Sequence, residues 1–279
     1  MRFSLVLATV GRTREVGEML ASLDAQHYRD FEVIVVDQND DNRLTPVLMP
    51  YLERFPLLHV RSERGLSRAR NVGLKYVSGD VIAFPDDDCW YPLGVLEQVR
   101  NFFEMHSEWD GVTGRSIDAR GEESAFSFGK EDGLIDQFSV WQQAISYTIF
   151  LRRSVIDKVG LFDETLGLGA GTIFGSGEET DYVIRSLLLG FRIYYSPRLL
   201  VHHPHPEAVI DKRMLKRSFS YGCGMGRVLS KHHYPLWFKA RALVRPLGGT
   251  MLSLSQFAAP KAALHWNRCL GRVRGLFSS

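Results

Sequence analysis

The chain has 279 residues, 45% hydrophobic and 24% charged. That argues an ordinary soluble globular protein with one large α/β domain, or one domain with an appended segment. The formal net charge of +2 is unevenly laid out: residues 207–279 carry 13 Lys+Arg against 2 Asp+Glu, a net +11, and residues 1–206 carry 21 against 30, a net −9. Cys89, Cys223 and Cys269 are an odd number without C-x-x-C spacing, which argues against a disulfide framework or a zinc site and for a reducing compartment. Gly11 and Arg12 interrupt the first apolar run, so no signal peptide is expected, and no uncharged apolar stretch reaches the ~18 residues of a membrane span.

In chain order, 3–8 reads as a buried strand. Residues 13–26 place Val16, Met19, Leu20 and Leu23 at helical spacing. A strand at 31–36 ends in Asp37, a helix is expected over 45–55, and a strand over 57–61. A helix at 67–77 is closed by Ser78-Gly79. The apolar run 81–84 is a fourth strand, and a helix follows over 92–105 with Pro92 at its start. This alternation predicts a mostly parallel α/β sheet, whose ligands bind beyond the carboxyl ends of the strands. Asp37 and Asp86–Asp88 lie at two such ends and are expected to face one cleft. Beyond residue 105 the pattern breaks: a strand at 110–115, a long loop at 118–137, a helix at 154–159, a glycine-rich loop at 167–177, a helix at 178–189 and a strand at 191–195.

The triplet Asp86, Asp87, Asp88 poses a physical question, because adjacent carboxylates repel. Capping of the next helix, at about 0.3–1 kcal/mol per group, needs only one of them. A hard divalent cation would use several oxygen ligands at once.

"VVDQND", "GLSRARNVGL", "VIAFPDDDCWYP", "GLFDE" and "GSGEETDYVIRSLLLGF" occur in this order at spacings similar to those of the family 2 glycosyltransferases, and the resemblance covers about residues 3–206. It implies the A-type glycosyltransferase fold: a Rossmann-like, nucleotide-sugar-binding half (1–115) joined to an acceptor-binding half (116–206). The triplet then resembles the family's D-x-D motif, with Asp86 and Asp88 holding Mn²⁺ or Mg²⁺ on the diphosphate of a nucleoside diphosphate sugar. Asp37 resembles the family's base- or ribose-binding Asp, although "DQNDD" departs from D-x-G-S. Thr9 ends the first strand and could border the base. Arg68 and Arg70, two apart on a helix, do not share a face, so one would reach the donor or the acids while the other is solvated. Asp87 joins the donor-binding set.

The resemblance also implies inverting transfer, with a carboxylate accepting the acceptor hydroxyl's proton. It puts that base at Glu179, or at Glu178 if the register slips by one. Asp181 lies one turn before Arg185, which favours an ion pair with a structural or acceptor-binding role. The five glycines of 167–177 suggest a mobile loop. "SPRLLVHHPHP" lies where the family often places a His on the metal. His203 is favoured, then His202 and His205, and strand alternation sends His202 and His203 to opposite faces.

Residues 207–279 mix basic, aromatic and apolar side chains, including Trp237 and Trp266. They read as a helical, membrane-associating segment that would hold the enzyme on an anionic surface, peripheral on the inner face of the cell membrane. A packed helical subdomain is the plainer alternative. No nucleic-acid reader motif appears. The expected activity is metal-dependent transfer of a single sugar to a glycan or lipid-linked acceptor in cell-surface polysaccharide or glycolipid synthesis, since a processive Q-x-x-R-W motif is absent. The alternatives are a sugar nucleotidylyltransferase, for which "LATVGRTRE" is a poor phosphate loop, and a catalytically silent membrane-bound scaffold.

Overall fold

The structure is a computed structural model that describes residues 1–124, 127–205 and 209–278. It forms two compact units. The first comprises 1–64, 68–162 and 182–206, and the second 65–67, 163–181 and 207–279. The domain boundary expected at 206/207 falls outside the described residues.

The first unit is built on eight strands: β1 Phe3–Thr9, β2 Phe31–Asp37, β3 Leu57–Arg61, β4 Val81–Ala83, β5 Gly111–Ile117, β6 Gly133–Leu134, β7 Phe150–Arg152 and β8 Ile193–His202. They form one sheet in the order β3-β2-β1-β4-β7-β5-β8-β6. The four neighbours from β3 to β4 are parallel, as the alternating sequence requires, and β7 and β6 run antiparallel to theirs. Every residue of β1 is buried, the pattern of a strand covered on both faces. Helix α1 (Arg14–Asp24) buries Val16, Met19, Leu20 and Leu23, the stripe read from the sequence. Register matters most at the carboxyl ends: Thr9 pairs with Asp37, and Asp37 with Arg61, so three polar residues line up across β1, β2 and β3.

Several elements differ from expectation. The helix expected over 45–55 is a single turn, α2 (Thr45–Leu48), followed by a 3₁₀ turn at Met49–Tyr51. Pro46 sits in the first turn of α2, and Pro50, which lacks an N–H, falls where an α-helix would need one. Helix α3 is Leu66–Leu74. Helix α4 (Val95–Met105) begins three residues after Pro92, because Gly94 at φ 83 supplies a left-handed cap. Short helices α5 (Val140–Gln143) and α6 (Arg153–Val159) flank β7, and α7 is Glu178–Leu188. The loop expected over 118–137 contains β6, which pairs with β8. β8 runs to His202 rather than stopping at 195. Ser196-Pro197 reads as a breaker, but the ladder with β5 shifts register between Thr113 and Arg115 and resumes at Leu200, so Pro197 lies in the irregular stretch.

In the second unit the basic segment is helical: α8 (Lys212–Lys231), α9 (Leu236–Ser255) and α10 (Ala259–Leu276). Helices α8 and α10 approach through paired glycines. A Cβ on Gly271 would lie 2.1 Å from the Phe219 carbonyl oxygen, and one on Gly275 would lie 2.1 Å from that of Cys223. Gly222 and Gly226 meet α10 in the same way, at 2.4 and 2.3 Å from the Arg268 and Arg272 oxygens. These neighbours are backbone atoms, so relief requires the helices to separate. Gly271→Val is therefore expected to lower stability by about 3 kcal/mol. Urea melts should show the loss; an unchanged midpoint would mean the contact can open freely.

Candidate functional site

The acidic triplet is held by pairing on both sides. Asp86 bridges to Ala8 in parallel fashion, which extends β4 alongside β1. Trp90 and His202 exchange backbone hydrogen bonds of 2.9 and 3.0 Å, and the His203 N–H donates to the Ile117 carbonyl at 2.9 Å. Residues 86–90 are thus fixed between the ends of β1 and β8, and His203 is delivered to the triplet. Its Nε2 lies 3.3 Å from Asp88 Oδ1. One ligand atom from each of Asp86, Asp88 and His203 can lie within 4.8 Å of the other two. His202 instead stacks on Trp90, with ring centroids 5.0 Å apart, which is the opposite-face placement expected from alternation. His205 is described but joins no such cluster among the described residues.

Each member of the cluster is oriented. The Asp86 carboxylate accepts from Arg70 at 3.2 Å and from the Ser146 hydroxyl at 3.0 Å. Arg70 is buried, with its guanidinium 5.5 Å from the Phe162 ring centroid. Arg12 pairs with Asp87, and with Asp88 at 2.7 Å. The His203 ring stacks on Tyr147 at 4.9 Å. Its Nδ1 is 2.7 Å from the Pro204 carbonyl, which can only accept, so Nδ1 carries a proton and Nε2 is the atom turned to the acids.

The electrostatics reflect crowding. Burial pushes the Asp86 carboxyl above its ordinary value against the pull of Arg70, although 30% of the side chain still meets solvent. Burial lifts Asp87 to about 6, with Arg12 opposing. Burial also pushes Asp88 up, but His203 and Arg12 outweigh it and hold that carboxyl low. Carboxylate oxygens plus one imidazole nitrogen fit Mn²⁺ or Mg²⁺, and a cation would relieve the repulsion among the acids.

Asp37 is fully buried and fully engaged. One oxygen accepts from the Asn39 backbone N–H at 2.8 Å and its side-chain amide at 2.7 Å, and the other lies 3.0 Å from His59 and 2.9 Å from Arg61. Its visible effect is to fix Asn39, His59 and Arg61. The buried Thr9 hydroxyl faces the Asp87 carboxyl without a hydrogen bond of ordinary geometry, an orphaned donor at the end of β1. Arg68 pairs with Glu63 at 2.7 Å, while Arg70 holds Asp86. Arg12, Asn39, His59, Arg61, Ser146 and Tyr147 were not singled out from the sequence. Arg12 alone left a local signal, a cation directly after β1.

In the second unit, the acidic motif opens α7. Glu178 is buried against Gly167, whose Cβ position lies 3.1 Å from its carboxylate, and Glu179 is half-buried. Asp181 is fully buried and accepts from Lys231 and His232, each at 2.8 Å; Lys231 also holds Asp163 at 2.7 Å. Arg185 donates to the Val159 and Leu161 carbonyls at 3.0 and 2.9 Å. The preceding glycines have specific conformational uses: Gly167, Gly169, Gly171 and Gly177 have positive φ, and Gly175 donates its N–H to Ser220 at 3.1 Å.

A family model described as glycosyl transferase family 2 matches residues 4–160. An uncharacterized glycosyltransferase, YwdF of Bacillus subtilis, is 28% identical over 173 residues, 58% of this chain and 62% of that protein. The pre-mycofactocin glycosyltransferase of Mycobacterium tuberculosis is 29% identical over 185 residues, 63% of this chain and 37% of that protein. The matches thus span less than two thirds of either relative. Among solved structures, the mannosyltransferase PcManGT from Pyrobaculum calidifontis, in complex with GDP-Man and Mn²⁺, superposes with a TM-score of 0.69 at 14% identity, over 99% of this chain and 87% of that one. Residues 1–349 of S. aureus TarS with UDP-GlcNAc give 0.64 at 17% identity, over 98% and 92%. At these identities the likeness concerns the fold, the A-type glycosyltransferase architecture.

Proposed function

Because the chain belongs to glycosyl transferase family 2, we propose that it moves a single sugar from a nucleoside diphosphate sugar, with inversion, to a glycan or lipid-linked acceptor. The observation that carries this reading is the convergence of Asp86, Asp88 and His203 at the carboxyl edge of the sheet. Asp86 and Asp88 oxygens and His203 Nε2 would hold Mn²⁺ or Mg²⁺. A bound cation supplies neutralisation of the charge that develops on the leaving nucleoside diphosphate. Arg70 and Ser146 orient Asp86, and Arg12 orients Asp87 and Asp88. Thr9 and the Asn39, His59 and Arg61 group held by Asp37 offer donors and acceptors to a base or ribose. PcManGT with GDP-Man and Mn²⁺, and TarS with UDP-GlcNAc, support a nucleotide-sugar donor.

Glu179 takes the proton of the acceptor hydroxyl as that oxygen attacks the anomeric carbon and the bond to the diphosphate breaks. Its partial exposure favours it over the buried Glu178. Asp181, clamped by Lys231 and His232, holds the first turn of α7 in place. The acceptor side is read as an anionic inner membrane face, supported by the net +11 of 207–279. No described helix is long and apolar enough to cross a membrane.

The test is nucleoside diphosphate release from a panel of nucleotide sugars with Mn²⁺. Release from one donor, abolished by EDTA and restored by Mn²⁺, is expected. Undiminished release in EDTA, or none from any donor with Mn²⁺, contradicts the reading.

A further inference from the structure

The second half of α9 and its turn into α10 form an apolar projection with a basic border. Residues 246–260 carry no charged side chain, and the chain from 212 to 279 contains no acid at all. Met251, Leu252, Leu254 and Phe257 are exposed at 74, 60, 58 and 96% of their surfaces. Met251, Leu254 and Phe257 follow at three-residue spacing and so lie toward one side of the helix end. Single exposed apolar residues are ordinary, but a contiguous group marks an interaction site.

Phe257 is unfavourable here on two counts. It is almost wholly in solvent, and its φ is 55. The turn is a left-handed helix stop: the Phe257 N–H donates to the Leu254 carbonyl at 3.0 Å and the Ala258 N–H to that of Ser253 at 2.8 Å. Glycine is the usual residue at that position because it carries no Cβ. A bulky aromatic there is an outlier that local folding does not explain.

Arg245 and Arg241 are exposed about two and three turns before Met251, and Lys261 is exposed just after the turn. The matching partner is apolar at its centre and anionic at its rim, the layering of an anionic bilayer, where phosphates sit above the acyl chains. We propose that the α9–α10 turn is the membrane-inserting element of this protein, with Met251, Leu254 and Phe257 entering the acyl boundary and Arg241, Arg245 and Lys261 meeting lipid phosphates. The inference deepens the membrane-side reading above and rests on it.

The test uses the full chain and two kinds of vesicle, phosphatidylcholine alone and equal parts phosphatidylcholine and phosphatidylglycerol. Wild type is expected to co-sediment with the anionic vesicles, and less so in high salt. The triple variant Met251→Ser, Leu254→Ser, Phe257→Ser should lose affinity on the order of 10²-fold, from the apolar transfer it forgoes. Its thermal melt should be unchanged, because the three side chains contribute little to the fold. Phe257→Gly separates the roles: it should raise the melting temperature by relieving the left-handed strain, yet weaken vesicle binding. The inference is overturned if the triple variant binds vesicles like wild type. It is equally overturned if wild type ignores anionic vesicles but self-associates through this patch, which would make a second copy its cover. Binding is read without turnover, so vesicle-bound protein that releases no nucleoside diphosphate would fail the enzyme reading alone.

Discussion

Glu179→Gln is expected to bind the donor nucleotide as wild type does and to lose turnover by roughly 10²–10⁴-fold, the usual worth of a general base. The amide preserves size and one acceptor oxygen but replaces the other with an NH₂ donor, so it cannot take the acceptor's proton. Glu178→Gln is the necessary comparison. Glu178 is buried against Gly167 in the second unit, so its substitution should disturb the packing of the glycine loop more than the chemistry. Single-turnover rates beside nucleotide affinities separate the cases. A selective loss of turnover in Glu178→Gln, with Glu179→Gln active, would move the base by one residue.

Asp88→Ala is expected to weaken Mn²⁺ binding by at least about 10²-fold, more than the 10–100-fold typical of losing an outer-shell partner. The side chain does two things. It presents an oxygen to the cluster with Asp86 and His203, and its contacts with Arg12 and His203 keep its carboxyl ionised. Removing it takes away the one member of the triplet held below its ordinary value, and leaves Asp86 and Asp87, both pushed up by burial. Mn²⁺ titration followed by electron paramagnetic resonance measures the loss directly. Asp88→Asn should fall between wild type and Ala, because the amide oxygen remains a weak ligand.

The strands that run through the core were legible because burial imposes apolar runs, as in β1 and β2, and α1 was legible because its buried face repeats at helical spacing. Local breakers misled in both directions. Pro50 truncated an expected helix at α2, whereas Pro197 was absorbed by the register shift within β8. The acids and His203 were visible as residue types, but what joins them was not. The Ala8–Asp86 and Trp90–His202 bridges connect strands far apart in the chain, and only that pairing brings His203 to Asp88. The same holds for Arg12, Ser146 and the residues around Asp37, whose partners come from other loops or from β3. The α8–α10 contact leaves a local sign in the sequence: glycines four apart in "GCGMG" and again in "GRVRG". Read as pairs, they announce two helix backbones in close approach.

In the proposed function a divalent cation held by Asp86, Asp88 and His203 carries the donor's diphosphate. The most direct measurement is calorimetric titration of a nucleoside diphosphate into the wild-type chain and into Asp88→Ala, each in Mn²⁺ and in EDTA. Tight binding is expected only for wild type in Mn²⁺, with the variant in Mn²⁺ falling to the level both proteins show in EDTA. Equal affinity of the two proteins in Mn²⁺, or wild-type affinity unchanged by EDTA, would contradict it.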